Sequence, residues 1–92
     1  MEVTWNPDKN ATLQRDRGIS FEEIVAVIEA GGLVANQPHP NRDQYPHQRV
    51  LIVAIHNYAY VVPCVVTGEV YELITLFPSR KATRDYIRRH TP

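Results

Sequence analysis

Apolar residues recur along this chain with two different spacings, and the points where one gives way to the other mark its elements. Residues 2–5, EVTW, alternate polar and apolar, the pattern of a short strand with one face covered. NPDKNATLQRDRG follows, with Asn6 at an N-cap, Pro7 at the first helical position and Gly18 just past the end. This punctuation predicts a helix near residues 7–17. Ala11 and Leu13 are its only aliphatic residues, so it reads as a surface helix held by the segment that follows.

ISFEEIVAVIEAGG carries the strongest local signal. Ser20 and Glu23 make a capping box, and Ile19 and Ile24 stand at the two positions of a hydrophobic staple. Ile24, Val27 and Ile28 give a helical apolar stripe near residues 20–30, which Gly31 and Gly32 end. LVAN, residues 33–36, is then a short strand. Residues 37–48, QPHPNRDQYPHQ, hold three prolines and one large apolar side chain, Tyr45. That composition predicts a loop on a fixed path, because each proline fixes its own φ and restricts its predecessor. A loop of this length in a small domain is usually functional or disordered.

Three apolar runs follow, RVLIVAI, YAYVVPCVV and EVYELITLF, separated only by HN and TG. Connections that short predict an antiparallel meander over residues 48–77. Pro63 interrupts the middle run and predicts a bulge or a local sheet edge, since it cannot donate to a ladder. Ser79 caps a last helix near 79–89. The predicted order is β-α-α-β-β-β-β-α, an α+β fold with a curved antiparallel sheet, as one domain over residues 1–92.

Composition changes this picture little. Forty-three per cent hydrophobic and 22% charged residues are those of an ordinary globular domain. The single cysteine, Cys64, excludes an internal disulfide and fits a reducing cytosol; within VVPCVV it reads as a buried strand residue. MEVTWNPDK lacks the basic and apolar regions of a signal peptide, and no apolar run approaches the roughly 20 residues of a membrane helix. A cytoplasmic protein without membrane contact is the expectation.

Charge changes it more. Ten Lys and Arg balance ten Asp and Glu, but the balance is not even along the chain. Residues 1–49 hold five cations and seven anions, and residues 50–78 hold only Glu69 and Glu72. Residues 79–92 hold Arg80, Lys81, Arg84, Arg88 and Arg89 against Asp85. Arg80, Arg84 and Arg88 recur along one helix face, while Asp85 is spaced to pair with Lys81 and Arg89. Arg80 and Lys81 fall at the start of the helix, where a cation typically costs about 0.3–1 kcal/mol against the macrodipole. Local stability favours acids there. Cations at that end point to a bound anion, since helix N-termini attract phosphate and Arg offers it two parallel donors. An acidic protein segment would satisfy the same charges.

Taken in order, WNPDKNATLQRDRGISFEEIVAVIEAG, HPNRDQYPHQR and PSRKATRDYIR resemble the BrnT family of bacterial toxins, small RelE-like ribonucleases of type II toxin–antitoxin systems. The resemblance runs from about residue 3 to residue 88. It rests on W-[ND]-P-x-K near the start, G-[IV]-S-F-E-E opening the second helix and S-R-K-A-T opening the last. It implies a RelE-like fold, cofactor-free and metal-independent endoribonuclease activity, and growth arrest. It also implies a hetero-oligomer with a cognate antitoxin, a small DNA-binding protein encoded alongside. Ribonuclease chemistry of this kind needs a base for the ribose 2′-OH, an acid for the leaving oxygen and cations around the phosphate. Matched to the family's polar positions, His39, Arg49 and Arg80 are the catalytic candidates, His39 as proton carrier and the arginines as phosphate ligands. Arg80, Lys81, Arg84 and Arg88 are the RNA-binding candidates. The chain departs from RelE-like enzymes in one respect. No Lys or Arg lies between Val50 and Phe77, where His56, Tyr58, Tyr60 and Tyr71 offer polar tips.

Plainer readings stand beside these. His39 can stabilise its loop, His56 is a turn residue, and Tyr86 with Ala82 forms the packing face of the last helix. None of the histidines has the spacing of a metal site. Two function classes result: a ribonuclease toxin, and a non-catalytic RelE-like module whose basic helix docks an acidic antitoxin segment or RNA.

Overall fold

The computed structural model describes residues 1–88. It is an α+β structure built on one mixed six-stranded sheet. β1 is Glu2–Trp5, α1 is Pro7–Arg17 and α2 is Phe21–Val27. The strands that follow are β2 (Leu33–Pro38), β3 (Gln48–Ile55), β4 (Tyr58–Thr67), β5 (Val70–Leu73) and the two-residue β6 (Phe77–Pro78). α3, Arg80–Ala82, closes the described chain and widens at once into a π-helical turn, Thr83–Ile87. The expected end of this helix near residue 89 lies outside the described residues, as does Arg89.

Strand order is β1-β5-β4-β3-β2, with β6 also on β4. β3, β4 and β5 form the antiparallel meander that their short connections dictate. The expectation of a wholly antiparallel sheet is corrected at one edge: β1 pairs with β5 in parallel, Val3 beside Tyr71 and Trp5 beside Leu73. β1 leaves for α1 rather than for a hairpin, so no tight turn forces it antiparallel. The third run of the meander also breaks after Leu73, and Phe77–Pro78 regains β4 opposite Tyr60 and Val61.

Pro63 occupies this break. Its carbonyl accepts the Ile74 N–H at 3.0 Å. In an extended strand a residue's N–H and C=O point the same way, so the donor that proline lacks would have faced the gap between β5 and β6. β3 and β4 therefore keep register past Val50–Pro63. The local edge exists; the bulge lies elsewhere, between Leu33 and Ala35 in β2.

Both helical predictions at the N-terminal end hold. Asn6 accepts the N–H groups of Asp8 and Lys9, and Gly18, in left-handed conformation, donates to Gln14. Ser20 Oγ accepts the Glu23 N–H at 3.2 Å. α2 runs into a π-helical turn, Ile28–Gly32, ended by Gly31 at φ 95°. A Cβ on Gly32 would run into Val27 and meet the Ala54 carbonyl oxygen at 3.2 Å, so the chain passes close beneath β3 there.

α1 and α2 cover one face of the sheet. Leu13, Phe21 and Ile24 pack with Leu51, Val53, Val62, Cys64, Leu73 and Leu76 in the larger core. The alternate strand positions, Ile52 and Ala59, meet Ala82, Tyr86 and Ile87 on the other face. Ser79 Oγ caps this C-terminal helix through the Ala82 N–H at 3.0 Å, and the buried Thr83 hydroxyl accepts the Ala59 N–H at 2.8 Å.

Candidate functional site

Strand alternation decides where each candidate residue lies. Arg49 shares its face with Leu51 and Val53, the face under α1 and α2, but stands at the end of β3 next to the proline-rich loop. Its Nε donates to Asn36 Oδ1 at 2.6 Å and its Nη2 to the Asn36 carbonyl oxygen at 3.1 Å. Asn36 Nδ2 in turn donates to the Tyr71 hydroxyl at 3.1 Å. All three side chains are half-buried. Among the described residues no carboxylate pairs with Arg49. A guanidinium has five N–H donors, so most of its capacity is left for an anion. Because Tyr71 accepts from Asn36, its own proton remains available to donate.

Asn36 is the residue that alternation hides. It lies three positions from Leu33, which in a regular strand places it on the opposite face. The bulge between Leu33 and Ala35 adds one residue, so Asn36 falls beside Leu51 on the Leu33 face. The polar residue Asn within an apolar run was the available sign, since Asn is depleted in strands.

Cys64 adjoins this cluster, its Sγ donating to the Arg49 carbonyl oxygen at 3.4 Å. Burial pushes its thiol up to about 11, so it stays protonated at neutral pH and is no nucleophile.

His39 sits just beyond the Pro38–Arg49 pair, its backbone N–H donating to Gln48 O at 3.1 Å. The loop is shorter than expected, residues 39–47, because β2 extends to Pro38 and β3 begins at Gln48. His39 Nδ1 accepts the Asn41 N–H at 2.9 Å, and its ring lies 4.7 Å from that of Tyr45. An Nδ1 that accepts carries no proton, so any proton transfer by His39 falls to Nε2. His39 thus holds its loop in shape.

The cations of the C-terminal helix lie elsewhere. Arg80 follows β6, whose Pro78 pairs with Tyr60, itself paired with Val53. Arg49 is four residues from Val53 along β3, about 13 Å at the usual rise. The helix also packs on the Ile52 face, opposite Arg49. Arg80 and Lys81 therefore do not share an anion pocket with Arg49; His39 neighbours Arg49 only through the backbone at the end of the β2–β3 ladder. Only three residues, Arg80–Ala82, are α-helical before the helix widens, too few to build an N-terminal dipole that would hold an anion.

Lys81 Nζ lies 3.3 Å from Asp85 Oδ2, and Arg84 Nε lies 3.2 Å from Asp85 Oδ1. Arg84, then Lys81, holds the Asp85 carboxyl below its usual range. Arg80 and Arg88 have no carboxylate partner among the described residues. The larger groove, about 750 Å³, opens between α1 and the end of β5 beside Lys9, Glu72 and Ile74, and contains none of the candidates. A smaller one of about 350 Å³ adjoins Tyr71, lined also by Met1, Gly68 and Glu69. Among the described residues no three His, Cys, Asp or Glu side chains come together, and no helix is long and apolar enough to cross a membrane. No protein-family model, curated protein or solved structure matches this chain.

Proposed function

We propose that this chain is the toxin of a type II toxin–antitoxin pair, a RelE-like endoribonuclease of the BrnT kind that binds RNA at Arg49. One observation carries the reading: a half-buried guanidinium with no carboxylate partner among the described residues, fixed by Asn36 beside a hydroxyl that can donate. A phosphodiester placed there receives charge-assisted hydrogen bonds from Arg49, which strengthen as the phosphorane gathers charge. Attack by the ribose 2′-OH then forms a 2′,3′-cyclic phosphate and releases the 5′-oxygen. The Tyr71 hydroxyl, bonded to Asn36, and His39 Nε2, carried at the end of the β2–β3 ladder, are the groups we assign to moving the two protons. Arg80, Lys81, Arg84 and Arg88 guide RNA from the other face without touching the reacting phosphate.

A second reading is favoured by the uncharged strands and by the separation of the basic helix from Arg49. In it the protein binds without cleaving, as a RelE-like module. Induced expression in a bacterial host separates the two, following growth and total RNA with and without a cognate small DNA-binding antitoxin. The toxin reading expects arrest with RNA fragments ending in cyclic phosphate, relieved by the antitoxin and lost in Arg49→Ala. Arrest with intact RNA selects the binding module. Unimpaired growth overturns the toxin assignment.

A further inference from the structure

The C-terminal helix covers only part of its face of the sheet. Its described residues, 80–88, make about 13 Å of helix, whereas β4 alone runs about 33 Å. Its buried contacts gather at Ile52 and Ala59, with Val50 and Val61 at the margin. Pro63 and Val65 continue the same face of β4, yet pack into neither core. Ile74, opposite Pro63, and Phe77, opposite Val61, extend the strip and are 44% and 37% exposed. The result is a continuous aliphatic and aromatic strip on an otherwise finished sheet.

Charge frames this strip at its two ends. The helix brings Arg80, Lys81, Arg84 and Arg88 against Asp85. At the far end, beside and beyond Val65, the β1–β5 edge brings Glu2 and Glu72, which share the strip's face through the Glu2–Val70 and Val65–Glu72 pairs. Arg80, Arg88, Glu2 and Glu72 all lack ion-pair partners among the described residues.

We infer that this strip is the contact surface between two copies of the chain. A two-fold axis crossing the strip, at right angles to β4 near Pro63, lays apolar surface on apolar surface and sets each cationic end against the partner's anionic end. One patch then satisfies both its apolar and its charged groups with itself. The protein's zero net charge leaves no long-range repulsion to oppose the pairing. RNA fits the strip poorly, because between the borders it offers aliphatic surface where a phosphate backbone needs cations. The inference does not need the toxin assignment, and in the dimer Arg80 and Arg88 are withdrawn from RNA, so their RNA contacts belong to the monomer.

Light scattering coupled to size exclusion, with sedimentation equilibrium, tests it on the full chain from about 1 to 100 µM. The expected result is a concentration-dependent dimer that weakens as salt rises from about 0.05 to 0.5 M. Ile74→Asp, at an exposed position, should leave a folded monomer by circular dichroism. Reversing one border, Glu2→Lys with Glu72→Lys or Arg80→Glu with Arg88→Glu, should weaken pairing roughly tenfold. Reversing both together should restore it, an outcome that a fault in folding cannot mimic. A monomer throughout the concentration range overturns the inference. So does a dimer indifferent to Ile74→Asp and to both reversals, or an RNA oligonucleotide whose binding is lost in Ile74→Asp.

Discussion

The side-chain oxygen of Asn10 accepts the backbone N–H of Phe21 at 2.7 Å, so a residue of α1 caps the first turn of α2. Asn10 Nδ2 also donates to Glu22 Oε1, closing a two-way bridge between helices. This bridge explains how α1, with Leu13 as its one buried aliphatic residue, is held to the rest. Asn10→Ala strands a buried donor and should cost about 1–3 kcal/mol, read as a shift of the urea midpoint. Asn10→Asp keeps the acceptor but faces the Glu22 carboxylate, so its deficit should shrink as pH falls through the carboxylate range.

Thr83 performs the same service on the other face. Its hydroxyl accepts the Ala59 N–H and donates to the Ser79 carbonyl oxygen at 2.7 Å. Thr83→Val keeps the shape and removes both bonds. The expected loss is again about 1–3 kcal/mol, with amide exchange accelerated first at Ala59 and in the C-terminal helix, while the α1–α2 face keeps its protection.

Cys64 gives a pH signature. Burial raises its pKa from 9.0 to about 11, so folding favours the protonated thiol. Its stabilising contribution is complete below pH 9, where the unfolded thiol is also protonated. It falls as pH rises from about 9 toward 11, because the unfolded state then releases a proton that the folded state keeps. Cys64→Ala should therefore lose less stability than the parent over that interval, as measured by denaturant melts. Modification of Cys64 at pH 8 by a disulfide reagent should follow unfolding rather than the free-thiol rate.

The sequence made the helix caps legible because capping is local: Asn6, Ser20 and Ser79 act within three residues of themselves. The meander was legible for the same reason, since HN and TG leave room for hairpins alone. What escaped was set by distant pairing. Val3 and Trp5 do not reveal that their neighbours are Tyr71 and Leu73, nor that the pairing is parallel. The bulge before Ala35 reverses the face of Asn36, and with it hides the partner of Arg49. Arg80 and Arg49 looked like one site because both are basic and flank the sheet in sequence. Alternation along β3 places them on opposite faces.

That separation yields a last prediction. If Arg49 holds the reacting phosphate and Arg80 only attracts the backbone, the two act on RNA independently. Affinities for an RNA oligonucleotide, measured for Arg49→Ala, Arg80→Ala and the double variant, should then combine additively to within about 0.3–0.5 kcal/mol. Arg49→Ala removes charge-assisted bonds in a half-buried cluster, typically about 1.5–3 kcal/mol, or roughly ten- to a hundredfold in affinity. Arg80→Ala removes an exposed cation; its effect should be several-fold at low salt and should fade as salt screens it. Its effect on stability should be near neutral, since Arg80 is exposed and has no ion-pair partner among the described residues. A coupling energy above about 1 kcal/mol would mean that one anion touches both arginines. The strand register forbids that unless β6 and the C-terminal helix leave β4, so such a coupling would locate the RNA on a rearranged sheet rather than on this one.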